Sequence, residues 1–281
     1  MPPAEKSSVA PTSYMLGHSE RELARLTRQA MLVNPMTRRY FKSAGIAPGM
    51  RVLDVGSGPG DTAILAAELV GPTGRVVGVD RSPVALGTAR SRVKERSLDH
   101  VSFHEGELGE VTLDGPFDAV VGRYVLMFQP DPVALLRALT KHLKPEGIVV
   151  FHEVDWDGVR TYPAVPLFEE ASRWITDAAA QSGADCRMGI KLHDTYLAAG
   201  LPAPDIALEA LIGSGADLER IRFITEIVET MADRIEELGI ATAAEMDIGT
   251  LDRRIAAQAL AVNGVMAGRS EIGAWCRREK P

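Results

Sequence analysis

The chain has 281 residues, of which 46% are hydrophobic and 25% charged, a composition typical of a globular protein with a full core. The formal net charge of -7 argues against nucleic acid as a partner, because phosphate binding requires clustered Lys and Arg. No apolar run approaches the length of a membrane span, and Met1 to Pro11 lacks the apolar core of a signal peptide. We therefore expect a cytoplasmic protein that acts on a small molecule.

The cysteine and histidine spacing predicts neither a disulfide nor a metal centre. Cys186 and Cys276 lie far apart without CxxC spacing, and both are expected to be reduced thiols. No two histidines combine with carboxylates at metal-ligand spacing, so no metal ligand is predicted.

The first predicted element is a helix that begins near Glu20. Ser19 to Glu22 reads as a capping box, in which a serine oxygen and a glutamate three residues later satisfy unpaired amides. Apolar residues at helical spacing follow it, and residues 1–42 are interpreted as an N-terminal helical cap.

Short apolar runs then alternate with helical segments. Ser82-Pro83 and Asp131-Pro132 each combine an N-cap with a proline at the first helical position. A parallel sheet is expected, because strand–helix–strand alternation is the signature of a βαβ unit. The five predicted strands are Arg51 to Val55, Arg75 to Asp80, Val101 to Glu105, Phe117 to Gly122 and Ile148 to Phe151.

Beyond Asp155 the pattern becomes mainly helical, with two further strands. The predicted strands are Ile206 to Ile212 and Glu271 to Arg277, the second interpreted as a polar edge strand with Trp275 as its apolar anchor. Apolar stripes predict four helices, Phe168 to Ala180, Lys191 to Ala199, Leu218 to Ile235 and Leu251 to Val262.

A glycine-rich loop joins the first predicted strand to the first helix after it, with the sequence Asp54-Val55-Gly56-Ser57-Gly58-Pro59-Gly60. Its glycines let the backbone turn sharply and approach a ligand without a Cβ in the way. A dinucleotide fingerprint would place Gly or Ala where this chain has Asp61, whose charge is expected to repel a pyrophosphate. A cationic ligand without phosphate fits the acidic loop better.

With Asp54, Gly56, Gly58 and Gly60, the loop resembles the first motif of the class I S-adenosylmethionine-dependent methyltransferases, which pairs an acidic residue with three alternate glycines. The resemblance implies that Asp80, at the end of the second strand, accepts hydrogen bonds from the ribose hydroxyls. It also implies that Glu107 and the Leu108 amide meet the adenine, although the family has aspartate where this chain has Glu107. The cofactor set is completed by Ser57, Arg81, Arg123 and Tyr14.

The resemblance implies a doubly wound α/β fold whose seven-stranded sheet is mostly parallel with an antiparallel C-terminal strand. Residues 43–281 are expected to form this Rossmann-like domain, with helical lid insertions at about 156–190 and 214–264. The lid helices could pack inward or against a second copy, and the second arrangement would give a homodimer.

Three residues at the end of the fifth strand are candidates for a general base: His152, Glu153 and Asp155. Because strand side chains alternate, His152 and Glu153 cannot face the same way in a regular strand.

The predicted function is the transfer of a methyl group from S-adenosyl-L-methionine to a small molecule at O, N, S or C. Two alternatives stay open at this point. One is an NAD-dependent oxidoreductase, which shares the first βαβ unit. The other is a protein of the same fold that binds the cofactor without transferring its methyl group.

Overall fold

The computed structural model describes residues 20–108 and 111–279, and in the first helix it describes side chains from Arg25 onward. Tyr14, predicted to contact the cofactor, and Ser19 of the predicted capping box lie outside the described residues. None of the helices within the described ranges is long and apolar enough to cross a membrane.

Eight strands form one sheet in the described part of the chain. The five strands β1 to β5 pair in parallel in the order β3-β2-β1-β4-β5, whereas β8 is antiparallel to β5 and also pairs with β6 and β7. The strands are β1 (Arg51–Val55), β2 (Arg75–Asp80), β3 (Val101–Glu105), β4 (Phe117–Arg123), β5 (Leu143–Asp155), β6 (Arg160–Tyr162), β7 (Asp205–Ser214) and β8 (Val265–Arg277).

Helices cover both faces of the sheet, and their starts follow the predicted caps. The Ser82 hydroxyl accepts a hydrogen bond from the Ala85 amide, and the Asp131 carboxylate accepts one from Ala134. The helices are α1 (Glu20–Ala44), α2 (Asp61–Val70), α3 (Pro83–Glu95), α4 (Pro132–Thr140), α5 (Pro166–Gln181), α6 (Met188–Ala198), α7 (Leu218–Glu237), α8 (Ala243–Met246) and α9 (Leu251–Ala261).

Both sides of the central strands are buried. In β1, Leu53 and Val55 pack into one apolar core, whereas Val52 packs into a second core on the opposite face. Period-two alternation therefore sends successive apolar side chains to different layers, which explains why the strands read as continuous apolar runs. The first core extends among the helices after β5, where α5, α7 and α9 pack together.

The predicted fold class is confirmed, including the mostly parallel sheet and the antiparallel C-terminal strand. The short strand β6 was not predicted, and β5 and β8 are longer than expected. The interpretation of the last strand as a polar edge is wrong, because β8 lies between β5 and β7. Its polar residues Arg269 and Glu271 are buried rather than solvated. The domain limits at residues 42 and 43 remain a prediction.

Candidate functional site

A cavity of about 450 Å³ opens at the carboxyl ends of the parallel strands, where α/β folds bind their ligands. Helix α1 contributes Leu26 and Gln29 to its wall, and the turn after β4 contributes Tyr124, Val125 and Phe128. Eight residues of the predicted cofactor set line it, namely Gly56, Ser57, Gly58, Asp80, Arg81, Glu107, Leu108 and Arg123.

The glycine loop forms the floor of this cavity, and two of its glycines have different reasons to lack a side chain. Gly56 has φ of 63°, and a Cβ there would lie 2.6 Å from a methyl carbon of Val125. Gly58 has φ of 49°, and a Cβ there would meet no atom of the described chain within 4 Å. Gly56 therefore permits close packing of the loop, whereas Gly58 leaves bare backbone facing the cavity.

Asp80 ties the glycine loop to the end of β2. One carboxylate oxygen accepts a hydrogen bond of 2.8 Å from the Gly58 amide, and the other accepts one of 2.8 Å from the Ser82 amide. An ionised carboxylate has about four lone-pair sites. Asp80 can therefore hold the loop and still accept hydrogen bonds from a ligand in the cavity that it lines.

Asp54 lies fully buried behind the loop. Neither carboxylate oxygen has a hydrogen-bond partner within residues 20–108 and 111–279. Burial raises the pKa of this carboxyl well above its usual value; the charge of Arg123 opposes that rise, while Asp80 and Asp61 add to it. Buried polar groups are ordinarily satisfied, so an orphaned carboxyl two residues before the cavity-lining Gly56 fits a ligand with a cationic or hydrogen-donating group.

The glycine loop carries a second unsatisfied group and a neutralised charge. The Ser57 hydroxyl is buried without a partner in the described chain. Asp61, in contrast, forms a salt bridge of 2.6 Å with Arg92, which also donates to the Pro59 carbonyl. The repulsion predicted between Asp61 and a pyrophosphate is therefore weakened, because a largely buried guanidinium offsets part of that charge.

The other end of the cavity reaches the loop after β3. Glu107 is exposed and Leu108 is partly buried, and both line the cavity, as their predicted positions require. On the opposite side, Arg123 donates hydrogen bonds of 2.7 Å to Asn34 and 3.1 Å to Thr37. These two bonds fasten helix α1 over the end of β4.

The three candidate bases are buried at the end of β5, and none is among the described residues that line the cavity. Glu153 accepts hydrogen bonds from the amides of Val125, Leu126 and Met127 at 2.8, 2.8 and 3.4 Å. Burial nevertheless raises its pKa to about 7. Glu153 thus holds the turn after β4, and Asp155 likewise accepts a bond from the Asp157 amide.

His152 points to different partners from its neighbour Glu153, as strand alternation predicts. Its Nε2 lies 3.0 Å from a carboxylate oxygen of Glu271, and its Nδ1 lies 3.0 Å from the Thr37 hydroxyl. Burial lowers the pKa of His152, which keeps the imidazole neutral, although Glu271 opposes this shift. The catalytic role of His152, Glu153 and Asp155 remains a prediction.

The sequence reasoning missed the residues that surround His152. Tyr124 donates a hydrogen bond of 2.6 Å to Glu271. Arg269 donates one of 2.9 Å to Glu271 and one of 3.1 Å to the Tyr124 hydroxyl. The available signal was the sequence Arg269-Ser270-Glu271 within an extended segment flanked by apolar residues. The predicted last strand begins at Glu271 and lies at an edge of the sheet, so the prediction leaves Arg269 outside the strand and Glu271 in solvent.

The comparison with known families assigns the chain to a family. A model described as a methyltransferase domain matches residues 46–197, which span β1 to α6 and every predicted cofactor residue except Tyr14. The chain belongs to this methyltransferase domain family. The enzyme class and the S-adenosylmethionine cofactor predicted from the glycine loop are thus confirmed at the level of the family.

Individual relatives match part of this chain. A demethylmenaquinone methyltransferase from Lactococcus lactis is 32% identical over 134 residues, which are 47% of this chain and 51% of that protein. An arsenite methyltransferase from Halobacterium salinarum is 36% identical over 112 residues, which are 40% of this chain and 29% of that protein. The chain spans about half the length, or less, of these curated relatives.

The fold extends further than these sequence matches. The crystal structure of a candidate methyltransferase from Bacillus halodurans superposes with a TM-score of 0.57 at 15% identity. The superposition covers 86% of this chain and 98% of that chain. The architecture is therefore shared over most of the described elements.

Proposed function

We propose that this protein transfers the methyl group of S-adenosylmethionine to a small organic acceptor. The observation that carries the proposal is a cavity lined by bare Gly58 backbone and the Asp80 carboxylate, with an unpartnered Asp54 buried in β1 just before the glycine loop. A sulfonium and an amino group supply the positive charge that an acidic floor attracts. A pyrophosphate supplies the opposite charge, so the NAD-dependent alternative is not favoured.

Several side chains would hold the cofactor. Asp80 keeps lone pairs for the two ribose hydroxyls, while Glu107 and the Leu108 amide stand where the adenine would lie. Asp54 lies below the loop for the cationic end, and Arg123 lines the wall where a carboxylate would find a guanidinium. When bound, S-adenosylmethionine supplies a methyl group that is already activated for transfer.

The remaining task of the protein is to align the acceptor and exclude water. Positioning of this kind can contribute about 7 to 11 kcal/mol to the lowering of a barrier. Helix α1 closes part of the cavity with Leu26 and Gln29, and Arg123 holds that helix through Asn34 and Thr37. The predicted cap would thus exclude solvent from the transfer.

The wall on the acceptor side favours an apolar molecule with a few polar atoms. It is formed by Leu26, Phe128 and Pro130 together with the amides of Gln29 and Gln129. This composition suits an aromatic or other flat acceptor of the kind named for the demethylmenaquinone methyltransferase. The proposal covers O-, N-, S- and C-methylation.

Arsenite is a less suitable acceptor, because soft metalloid chemistry requires thiolate ligands. In the described chain no cysteine lines the cavity. Burial raises the pKa of Cys186 to about 11 and that of Cys276 to about 12, so both thiols stay protonated at neutral pH.

Replacement of Asp80 tests the cofactor assignment. We expect Asp80→Ala to weaken the binding of S-adenosylmethionine at least about tenfold in calorimetric titration, because two charge-assisted hydrogen bonds are lost. Asp118→Asn is the matched control, because Asp118 also accepts a backbone amide, that of Arg51, but lies outside the cavity lining. Equal affinities for the two variants and the parent would contradict the ribose assignment.

Titration with NAD and mass spectrometry of acceptor mixtures separate the alternatives. The proposal expects saturable binding of S-adenosylmethionine, no binding of NAD and a mass gain of one methyl group in an acceptor. Binding without any methylated product would instead favour the non-transferring alternative.

A further inference from the structure

A buried network of polar side chains begins and ends at the wall of the cavity. Glu271 is its centre: one carboxylate oxygen accepts hydrogen bonds from Tyr124 and from His152 Nε2, and the other accepts one from Arg269. His152 continues through its Nδ1 to Thr37, which also accepts a bond from Arg123. Tyr124 and Arg123 are the two members that line the cavity.

The pKa shifts and the hydrogen bonds together favour one arrangement of protons in this network. Although burial raises the pKa of Glu271, Arg269 and the bonds from His152 and Tyr124 bring it down to about 2. Glu271 is therefore ionised and can only accept, so Tyr124 and His152 must both donate to it. The neutral imidazole then carries its proton on Nε2, and its Nδ1 lies 3.0 Å from the Thr37 hydroxyl, which is also 3.3 Å from the Val33 carbonyl. A carboxylate held at such a low pKa is a poor proton acceptor, which favours a role in positioning.

Tyr124 is held from several directions. Its backbone has φ of 56°, an uncommon value for a residue with a side chain, and its amide donates to the His152 carbonyl. The Arg269 guanidinium lies 5.0 Å from the centre of its ring, and the His152 ring lies 5.5 Å away. The hydroxyl is bonded to Glu271 and Arg269, which lie outside the cavity lining, whereas Tyr124 itself lines the cavity. Tyr124 thus presents a rigid aromatic surface.

The order of the strands places this ring at one end of the cavity. Glu107 follows β3, Asp80 ends β2 and the glycine loop follows β1, so the proposed adenosyl group would lie over these three neighbours. The next strand, β4, ends immediately before Tyr124. The ring therefore stands beyond the cofactor groups, on the side where an acceptor would approach the methyl group.

From this arrangement we propose that Tyr124 contacts the methyl acceptor with its ring, and that Glu271 and Arg269 are positioning residues that fix its orientation. The proposal rests on the methyl transfer proposed above. It adds that Tyr124 is the residue that would bind an acceptor with a flat ring. His152 then has a positioning role within the same network, in place of the predicted role as a base.

The test compares two tyrosines, the half-buried Tyr124 and the buried Tyr40, that bond to the same residue. Tyr40 donates a hydrogen bond of 2.8 Å to the Glu271 backbone carbonyl and does not line the cavity. Tyr124→Phe and Tyr40→Phe therefore each remove one buried hydroxyl beside Glu271. We expect Tyr124→Phe to lower kcat about tenfold, whereas Tyr40→Phe stays within about twofold of the parent. Tyr124→Leu, which removes the ring, should raise the KM for the acceptor about tenfold or more.

The probes are S-adenosylmethionine and a panel of flat aromatic acceptors: reduced demethylmenaquinone, catechol and a hydroxybenzoate. The Kd for S-adenosylmethionine should change less than about threefold in all three variants, as measured by calorimetry without any acceptor. Glu271→Gln should reproduce the kcat loss of Tyr124→Phe, and the double variant should lose no more than the larger single loss, because both act through one contact.

Each outcome has a distinct meaning. If the parent binds S-adenosylmethionine but methylates no member of the panel, the proposed acceptor class fails. If Tyr124→Leu weakens the binding of S-adenosylmethionine tenfold, Tyr124 lies on the cofactor side and the inference is overturned even without turnover. Parent-like kinetics in Tyr124→Phe and Tyr124→Leu, with methylation intact, would overturn the inference alone. Loss of folding in Glu271→Gln leaves the comparison of the tyrosine variants decisive.

Discussion

The two halves of the cavity are built in different ways. At the ends of β1 to β3 the wall consists of glycine backbone and carboxylates, and Asp54 and Ser57 have no partner in the described chain. At the ends of β4 and β5 and in the middle of β8, every member of the Glu271 network is hydrogen-bonded to another. An unsatisfied group is an incomplete site that a ligand can complete, whereas a satisfied network fixes geometry. We therefore assign cofactor binding to the first half and acceptor positioning to the second.

The largest expected effect concerns the bare backbone of the first half. Gly58→Ala would project a methyl group into open space of the cavity, and we expect it to weaken the binding of S-adenosylmethionine about a hundredfold in calorimetric titration. Gly239→Ala is the control, because Gly239 also has a positive φ with no described atom within 4 Å of a Cβ, but it lies after α7. Similar thermal destabilisation of both variants with unchanged affinity in both would remove the distinction between the halves.

A smaller effect concerns a carboxyl of the second half. The folded-state pKa of Glu153 is raised to about 7 from an ordinary value near 4.5, so its contribution to stability is complete below pH 4.5 and is lost as the pH rises through 7. Glu153→Gln removes a group that receives three amides and should destabilise the protein. The unfolding free energy of Glu153→Gln should lie below that of the parent at pH 5, and this deficit should shrink by about 2 kcal/mol between pH 5 and pH 8.

Glu271→Gln serves as the comparison in the same denaturation series, because the pKa of Glu271 is shifted in the opposite direction from that of Glu153. The pKa of Glu271 is lowered to about 2, so its contribution is complete above about pH 4.5 and is lost only as the pH falls toward 2. Its deficit should stay constant from pH 5 to pH 8. A deficit for Glu153→Gln that is equally constant would contradict the raised pKa.

The smallest effect concerns Asp54, whose removal should separate stability from binding. Burial raises its folded-state pKa, so the charge destabilises the folded protein increasingly as the pH rises. Asp54→Asn should therefore raise the Tm at pH 8 more than at pH 4 when no cofactor is present, and it should weaken the binding of S-adenosylmethionine about tenfold. A lower Tm at pH 8 would show that the carboxylate stabilises the unliganded fold.

The difference between the halves also explains what could be predicted from the sequence. The glycine loop, Asp80 and the caps Ser82 and Asp131 are local patterns, in which residues close in sequence act together. Most of the residues predicted in this way to bind the cofactor line the cavity. The same locality predicted the parallel strands and the helices between them.

The second half depends on residues far apart in the chain. Tyr124, His152 and Glu271 meet because β5 pairs with both β4 and β8, and no spacing pattern encodes that meeting. The charged residues of β8 are typical of a solvated edge strand, and the local sequence does not indicate that β7 pairs with the side of β8 opposite β5. Likewise, the partner of Asp61 is Arg92 on the next helix, which a reading of the loop alone does not include.

The most direct test of this division is the crystal structure of the protein with S-adenosylhomocysteine. The account predicts ribose hydroxyls on Asp80, adenine beside Leu108, and the sulfur over the glycine loop with its open side toward the Tyr124 ring. An adenine stacked against Tyr124, or a homocysteine sulfur that faces Glu107, would contradict the assignment of the two halves.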